Sequence, residues 1–213
     1  VKDCVLVMGH QIADADSLGA SIGIYRAATE LGKRAHIIIN EITSSVRPLY
    51  DEIAKNSSYP KDIFITSEEV KDYLTENTMV VVVLDHHRQS SNMIENAVLS
   101  YIEPYSSSVC EMVAEVLQYI VEDIKLTPVE AECLYAGIMI DTRNFMNRTG
   151  VRTFEAAAFL RRCGADITRV RKMFRDDMET YRAKAEAVRL AEVYRKEFAL
   201  AECPGNIESP TVL

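Results

Sequence analysis

Residues 80–88 read Val-Val-Val-Val-Leu-Asp-His-His-Arg, and residues 5–16 read Val-Leu-Val-Met-Gly-His-Gln-Ile-Ala-Asp-Ala-Asp. In both stretches a run of apolar β-formers passes straight into carboxylates and imidazoles. A short, continuous apolar run is the pattern of a strand buried on both faces, as in a parallel sheet. Open α/β sheets build their sites at the carboxyl ends of such strands. Of the four histidines in the chain, three (His10, His86 and His87) lie in these two stretches. Hard carboxylates mixed with imidazole suit manganese or a similar divalent ion.

Outward from these stretches, strands and helices alternate. Val5 to Gly9 reads as a strand, Ser17 to Leu31 as a helix stopped by Gly32, and Ala35 to Ile39 as a strand. A helix is expected over Val46 to Lys55, a short strand at Phe64 and Ile65, and a helix over Ser67 to Leu74. Met79 to Leu84 and Val98 to Ile102 read as strands. This order predicts an α/β fold with a mostly parallel sheet flanked by helices. The second half is helical, with helices over Ser106 to Glu122, from Pro128 to about Ile140, and over Phe154 to Cys163. Pro128 suits a first helical turn, and Gly164 a helix end. Met178 to Phe198 reads as one long, charged helix. Ala199 to Cys203 reads as the first strand of a further α/β domain, with a turn at Pro204-Gly205-Asn206. The expected organisation is a catalytic domain over 1–175, a linker helix over 176–198, and the beginning of a C-terminal substrate-binding domain over 199–213.

The chain has 213 residues and a net charge of −8, which argues against a duplex nucleic-acid binder coated in Lys and Arg. Bound cations invert the sign of an acidic cleft, so a small anionic substrate stays compatible with this charge. The five cysteines are Cys4, Cys110, Cys133, Cys163 and Cys203. Their wide spacing in apolar stretches fits reduced, buried thiols of a cytoplasmic protein. No apolar run reaches the length of a membrane span. The start at Val1 and the linker-like end suggest a piece of something longer, compatible with the cytosolic part of a membrane-anchored protein.

The chemistry-bearing residues fall into four groups. In the first, Asp14 and Asp16 stand two apart in a loop leaving a strand, where both can address adjacent metals, with His10 joining Asp14. Asp16 and Ser17 also suit plain helix N-caps, although His10 at the strand end weighs against that reading. In the second, one of His86 and His87 suits metal binding and the other a phosphate oxygen or leaving group. Asp85 would orient the loop or the rings, and Arg88 suits pairing with phosphate. In the third, Asp141 ends the apolar run Gly137-Ile138-Met139-Ile140 as a ligand or a cap, and Arg143 and Asn144 follow it. Arg148, Thr149, Gly150, Arg152 and Thr153 suit an anion cradle before a helix, and equally a solvated turn with a cap. In the fourth, Ser107 and Ser108 open a helix, where hydroxyls can bind phosphate. Glu111 stands three residues after Ser108, as in a capping box. His36, within a strand pattern, reads as structural.

Together, VMGHQIADADSLGA, DHHRQS, YIEPYSSSVCEMV, GIMIDTRNF and RTGVRTFEAAAFLRRCGAD resemble the DHH phosphoesterases over nearly the whole chain. The likeness is greatest to the bacterial cyclic-di-AMP phosphodiesterases, with Arg143-Asn144 after Asp141-Thr142 favouring that branch. The resemblance implies that His10 and Asp14 hold one manganese, and that Asp16, His86 and Asp141 hold a second. It implies that His87 and Arg88 contact the scissile phosphate. The reaction it implies is hydrolysis of cyclic-di-AMP to pApA by a metal-bound hydroxide between two cations about 3.5–4 Å apart. Short oligoribonucleotides or phosphoadenosine phosphate are the alternative substrates, and a degenerate dinucleotide-binding module is the alternative role. A homodimer and membrane-anchored sensory domains are compatible partners.

The chain departs from the family pattern in three ways. Ala13 stands where a proline is usual. The C-terminal domain with its glycine-rich, histidine-containing loop is absent. No Asp-x-His, the motif that supplies a bridging aspartate on a separate strand, occurs between Phe64 and Asp85. A parallel strand pair needs a crossover of about a dozen residues, more than lie between Met79 and Leu84. An omitted stretch, joined within Val80 to Leu84, is expected over true loss of that strand.

Overall fold

The structure is a computed structural model, and it describes residues 4–74, 80–88, 94–120, 122–175 and 178–201. It divides into two units, residues 1–173 and 174–213.

In the first unit, β1 (Cys4–Met8) leads into α1 (Ala15–Glu30), then β2 (Arg34–Ile38), α2 (Arg47–Ala54) and β3 (Phe64–Ile65). β1, β2 and β3 form a parallel sheet in that order, with Leu6 opposite His36 and Ile37 opposite Phe64. β4 (Val82–Asp85) and β5 (Leu99–Ile102) form a second parallel pair, with Leu84 opposite Tyr101. The helices α3 (Val109–Ile120), α4 (Pro128–Asp141), α5 (Val151–Arg162) and α6 (Ile167–Met173) follow. The fold is therefore α/β with parallel strands flanked by helices, as the alternating pattern predicts. Among the described residues of this unit, the strands form two sheets rather than one.

Local chemistry sets the helix ends. Asp14 caps α1: its Oδ1 accepts the Ser17 N–H at 2.8 Å, and its own N–H donates to Ser17 Oγ at 3.0 Å. The cap is thus Asp14, which leaves Asp16 inside the first turn rather than at the Asp16–Ser17 cap considered from sequence. Thr127 and Glu130 form the same reciprocal box at the start of α4, with Pro128 in the first turn. Gly32 (φ +70°) and Gly164 (φ +104°) take the left-handed conformation just past α1 and α5.

The core lies where α1 crosses α4. Leu18, Ile22 and Tyr25 of α1 and Leu134, Ile138 and Met139 of α4 are buried. Gly19 and Gly137 let the backbones approach, since a Cβ at 137 would stand 2.9 Å from the Asp16 Cα. His36 is buried, and its ring N–H donates to the Asp62 carbonyl at 2.6 Å while the ring packs on Tyr73. Cys110 and Cys133 are buried, Cys4 and Cys163 partly so, and these four are free thiols.

Two element expectations are corrected. Between Ser67 and Leu74 only a 3₁₀ turn forms, over Glu69–Asp72. The stretch is short, and none of that turn's residues is buried, so no packed face rewards a full helix. In the second unit the long helix expected to reach Phe198 stops earlier, as α7 (Met178–Leu190). An antiparallel hairpin follows, β6 (Glu192–Tyr194) with β7 (Phe198–Leu200). Arg195 and Lys196 both have positive φ in its turn, the twist that tight hairpins favour. The expected turn at Pro204-Gly205-Asn206 and the rest of 202–213, Cys203 included, lie outside the described residues. Among the described residues, no helix is long and apolar enough to cross a membrane.

Candidate metal centre

Three donors from three parts of the chain meet beyond the ends of β1 and β4. Asp16 comes from the first turn of α1, His86 from the residue after β4, and Asp141 from the last residue of α4. One donor atom of each lies within 4.8 Å of the other two. His86 Nε2 stands 3.7 Å from Asp16 Oδ2 and 3.4 Å from Asp141 Oδ2. Divalent ions of this size sit about 2.0–2.2 Å from oxygen and nitrogen donors, so donors around one ion stand up to about 4.3 Å apart. The two His86 distances fall within that limit, so the trio is spaced to share a divalent ion.

The electrostatics point the same way. Burial, and then the Asp16 and Asp14 carboxylates, push the Asp141 pKa up to about 7. Burial also raises Asp16, against the opposing pull of the Cys110 and Val109 amides. Two buried carboxylates this close resist ionising together, and a cation between them removes that resistance.

Asp16 is fixed by a device the sequence did not reveal. Its oxygens accept the backbone N–H of Val109 at 2.7 Å and of Cys110 at 2.8 Å, the first amides of α3. The Cys110 thiol donates to the Asp16 carbonyl at 3.2 Å. The positive end of a helix thus holds the carboxylate in place. Helix starts usually bind carboxylates from nearby in sequence, and this one lies 93 residues away, so no local spacing signals it.

His10 and Asp14 form a neighbouring pair, Nε2 to Oδ2 at 3.2 Å, with both side chains about two-fifths exposed. Burial raises the Asp14 pKa, but hydrogen bonds from His10 and Ser17 outweigh it and hold the group at about 2. The bond to Asp14 raises His10 against burial. The His10 and His87 rings stand 6.0 Å apart between centroids, edge to face, and His86 and His87 stand 4.5 Å apart. Asp85 Oδ1 accepts both the His87 backbone N–H at 2.9 Å and the ring Nδ1–H at 2.7 Å. These two hydrogen bonds to one carboxylate oxygen fix the His87 tautomer and leave Nε2 free to face a substrate oxygen.

The remaining candidates divide into two sets. Arg88, Arg143, Asn144 and Arg148 are exposed, and Arg148 is close enough to Asp141 to lower its pKa. The other three candidates turn inward. Ser107 and Ser108 are buried. Ser107 Oγ donates to Glu111 at 2.5 Å, Thr153 Oγ1 donates to the same carboxylate at 2.6 Å, and Ser108 Oγ accepts the Glu111 N–H at 3.0 Å. Arg152 gives its guanidinium to both Glu115 oxygens at 2.6 Å and to the Tyr101 hydroxyl at 3.0 Å. Arg152 thus ties α5 to α3 and β5, and Ser107 and Ser108 hold the start of α3 through Glu111.

A family model for the DHH family, N-terminal domain, matches residues 4–138. The chain belongs to the DHH family. Two curated DHH relatives cover nearly all of it. The cyclic-di-AMP phosphodiesterase GdpP of Bacillus subtilis (strain 168) is 37% identical over 228 aligned positions, which span 96% of this chain and 34% of the relative. The cyclic-di-AMP phosphodiesterase PdeA of Listeria monocytogenes serotype 1/2a (strain 10403S) is 32% identical over 236 positions, spanning 100% of this chain and 36% of the relative. The chain thus spans about a third of the length of these relatives. Among solved structures, an exopolyphosphatase-related protein from Bacteroides fragilis superposes with a TM-score of 0.70 at 19% identity, covering 91% of this chain and 63% of that one. That likeness confirms the fold.

Proposed function

We propose that this DHH chain is the catalytic part of a manganese-dependent phosphodiesterase that hydrolyses cyclic-di-AMP to pApA. The observation that carries the reading is the convergence of Asp16, His86 and Asp141 at the strand ends. It occurs in a chain 37% identical to a relative named for that activity.

Asp16, His86 and Asp141 would hold one ion, and His10 and Asp14 a second. Bound divalent cations supply acidification of the attacking water and neutralisation of charge on the phosphate. The α3 amides keep Asp16 from swinging away when the metal position fills or empties. Asp85 keeps the His87 ring turned with Nε2 outward, and the doubly protonated ring would donate from Nε2 to a phosphate oxygen or to the departing alkoxide. Arg88, Arg143, Asn144 and Arg148, all exposed, would pair with the second phosphate of a dinucleotide.

The test is a manganese-reconstituted assay of cyclic-di-AMP, cyclic-di-GMP, pApA and phosphoadenosine phosphate. Preferential cleavage of cyclic-di-AMP to pApA supports the reading. Cleavage of pApA or phosphoadenosine phosphate with cyclic-di-AMP untouched would move the chain to the oligoribonuclease-like branch. Tight binding of cyclic-di-AMP without turnover would make it a dinucleotide sensor.

A further inference from the structure

Glu111, in the first turn of α3, is only 2% exposed. Burying a carboxylate is costly unless hydrogen bonds offset the loss of water. Four donors do so here. Ser106 Oγ reaches Oε1 at 2.9 Å. Three more converge on Oε2: the Ser107 N–H at 3.3 Å, Ser107 Oγ at 2.5 Å and Thr153 Oγ1 at 2.6 Å. Ser106, Ser107 and Thr153 are themselves buried.

Helix capping accounts for part of this cluster. The Glu111 N–H donates to Ser108 Oγ at 3.0 Å, as a cap requires. The acid of an ordinary capping box reaches back to the amide of the cap residue. The Glu111 side chain instead bonds the two residues before the cap, and also Thr153, 42 residues further along the chain. A local cap needs no partner at that distance.

The partners on Oε2 lead to the two sides of the metal centre. On one side, Ser107 fixes the turn that enters α3, whose first amides hold Asp16 at 2.7 and 2.8 Å. On the other side, Thr153 lies in the first turn of α5, and its Oγ1 also accepts the Gly150 N–H at 3.0 Å. Gly150 closes the segment that begins just after Asp141 and carries Arg143, Asn144 and Arg148. α5 keeps a separate hold on α3 through Arg152 and Glu115, so the Thr153 bond is not needed to keep the helix attached.

We propose that Glu111 is a positioning residue for the candidate metal centre and for the arginine-bearing segment beside it. Its Oε2 sets the α3 amides that hold Asp16 and, through Thr153, the far end of residues 143–150. The proposal rests on the manganese phosphodiesterase reading above. It adds two separable effects: the Ser107 side governs metal affinity, and the Thr153 side governs substrate binding.

The experiment compares two variants of the whole 213-residue protein, each removing one hydroxyl from the same carboxylate oxygen. Ser107→Ala cuts the α3 side and keeps the Ser107 N–H bond, and Thr153→Val cuts the α5 side. Manganese affinity is titrated calorimetrically, and KM and kcat are measured with cyclic-di-AMP at saturating manganese. Ser107→Ala should weaken manganese binding about tenfold, the lower end of what outer partners of metal ligands contribute. Thr153→Val should keep manganese affinity and raise KM several-fold with little change in kcat, the pattern of lost substrate binding. Glu111→Gln should keep manganese affinity. Its amide oxygen can take the three donors of Oε2, and its NH2 can donate to Ser106 Oγ, whose proton turns to the Ser108 carbonyl at 3.1 Å. Equal losses of manganese affinity in the two hydroxyl variants would reduce Glu111 to packing and overturn the proposal. So would unchanged manganese affinity in Ser107→Ala, unchanged KM in Thr153→Val, or a folded Glu111→Gln that no longer binds manganese. If the unmodified protein binds manganese and leaves cyclic-di-AMP intact, the proposed function fails, and the manganese affinities of the three variants still decide the role of Glu111.

Discussion

His86 is the neutral donor set between two carboxylates, with its side chain 8% exposed. Replacing it with Ala removes a ligand, while the buried Asp16 carboxylate keeps the two α3 amides that hold it. We expect His86→Ala to fold normally by circular dichroism and to lose at least about a hundredfold in manganese affinity, more than outer partners of metal sites typically cost. Unchanged affinity would remove His86 from the centre. Asp141 gives a pH signature. An unfolded chain releases this proton near pH 4, whereas the folded, metal-free protein holds it up to about 7. Between those values the folded state binds more protons, so the group's contribution to stability falls as pH rises from about 4 to about 7. A divalent ion displaces the proton, so manganese affinity should rise through that window by up to about tenfold per pH unit. Calorimetric titrations at about pH 5.5 and about pH 7 check this, and equal affinities would contradict it. Apolar runs marked His86 and Asp141 singly as candidates, and the grouping of Asp16, His86 and Asp141 came from the resemblance to the DHH phosphoesterases. The Ser108–Glu111 cap could be read from its spacing, whereas the partners of Ser107 and Arg152 could not, since Glu111 and Glu115 sit on a helix face that periodicity marks only as polar.

At the scale of elements, the site depends on how closely α1 and α4 approach. Gly137 faces Asp16 directly: an added Cβ would stand 2.9 Å from its Cα and 3.0 Å from its Oδ1. Gly137→Ala should therefore push the helices apart, costing about 1–3 kcal/mol in overpacking. It should also weaken manganese binding, because Asp16 shifts relative to His86. Thermal melts and metal titration read the two effects. A stable variant with unchanged affinity would show that the contact has slack. The strand and helix order of the first unit could be read from apolar runs and caps, since capping boxes and glycine stops are local chemistry. The end of α7 could not. Residues 178–198 keep a charged, helix-compatible composition, and the hairpin is set by a turn at Arg195-Lys196 that carries no glycine or asparagine to announce it.

For the molecule as a whole, every proposed metal donor (His10, Asp14, Asp16, His86 and Asp141) lies in the unit that ends at Met173. A chain cut after Met173 should bind manganese with the affinity of the full chain and keep a cooperative melt within a few degrees, roughly the shift of about 1 kcal/mol. Loss of metal binding would mean that the second unit supports the site. The split of the strands into two sheets was foreshadowed by the valine run that enters the triplet with no crossover before it.

Three consecutive residues after Thr142, namely Arg143, Asn144 and Phe145, hold φ between 49° and 64°. Glycine would adopt that geometry freely, whereas a side chain there is disfavoured by about 1 kcal/mol or more per residue. The chain has eight glycines and places none of them here. Glycine at 143 or 144 should therefore raise resistance to heat, whereas glycine at 145 also strips the Phe145 ring from Tyr135 and Phe154, and any activity lost in exchange measures what those side chains contribute.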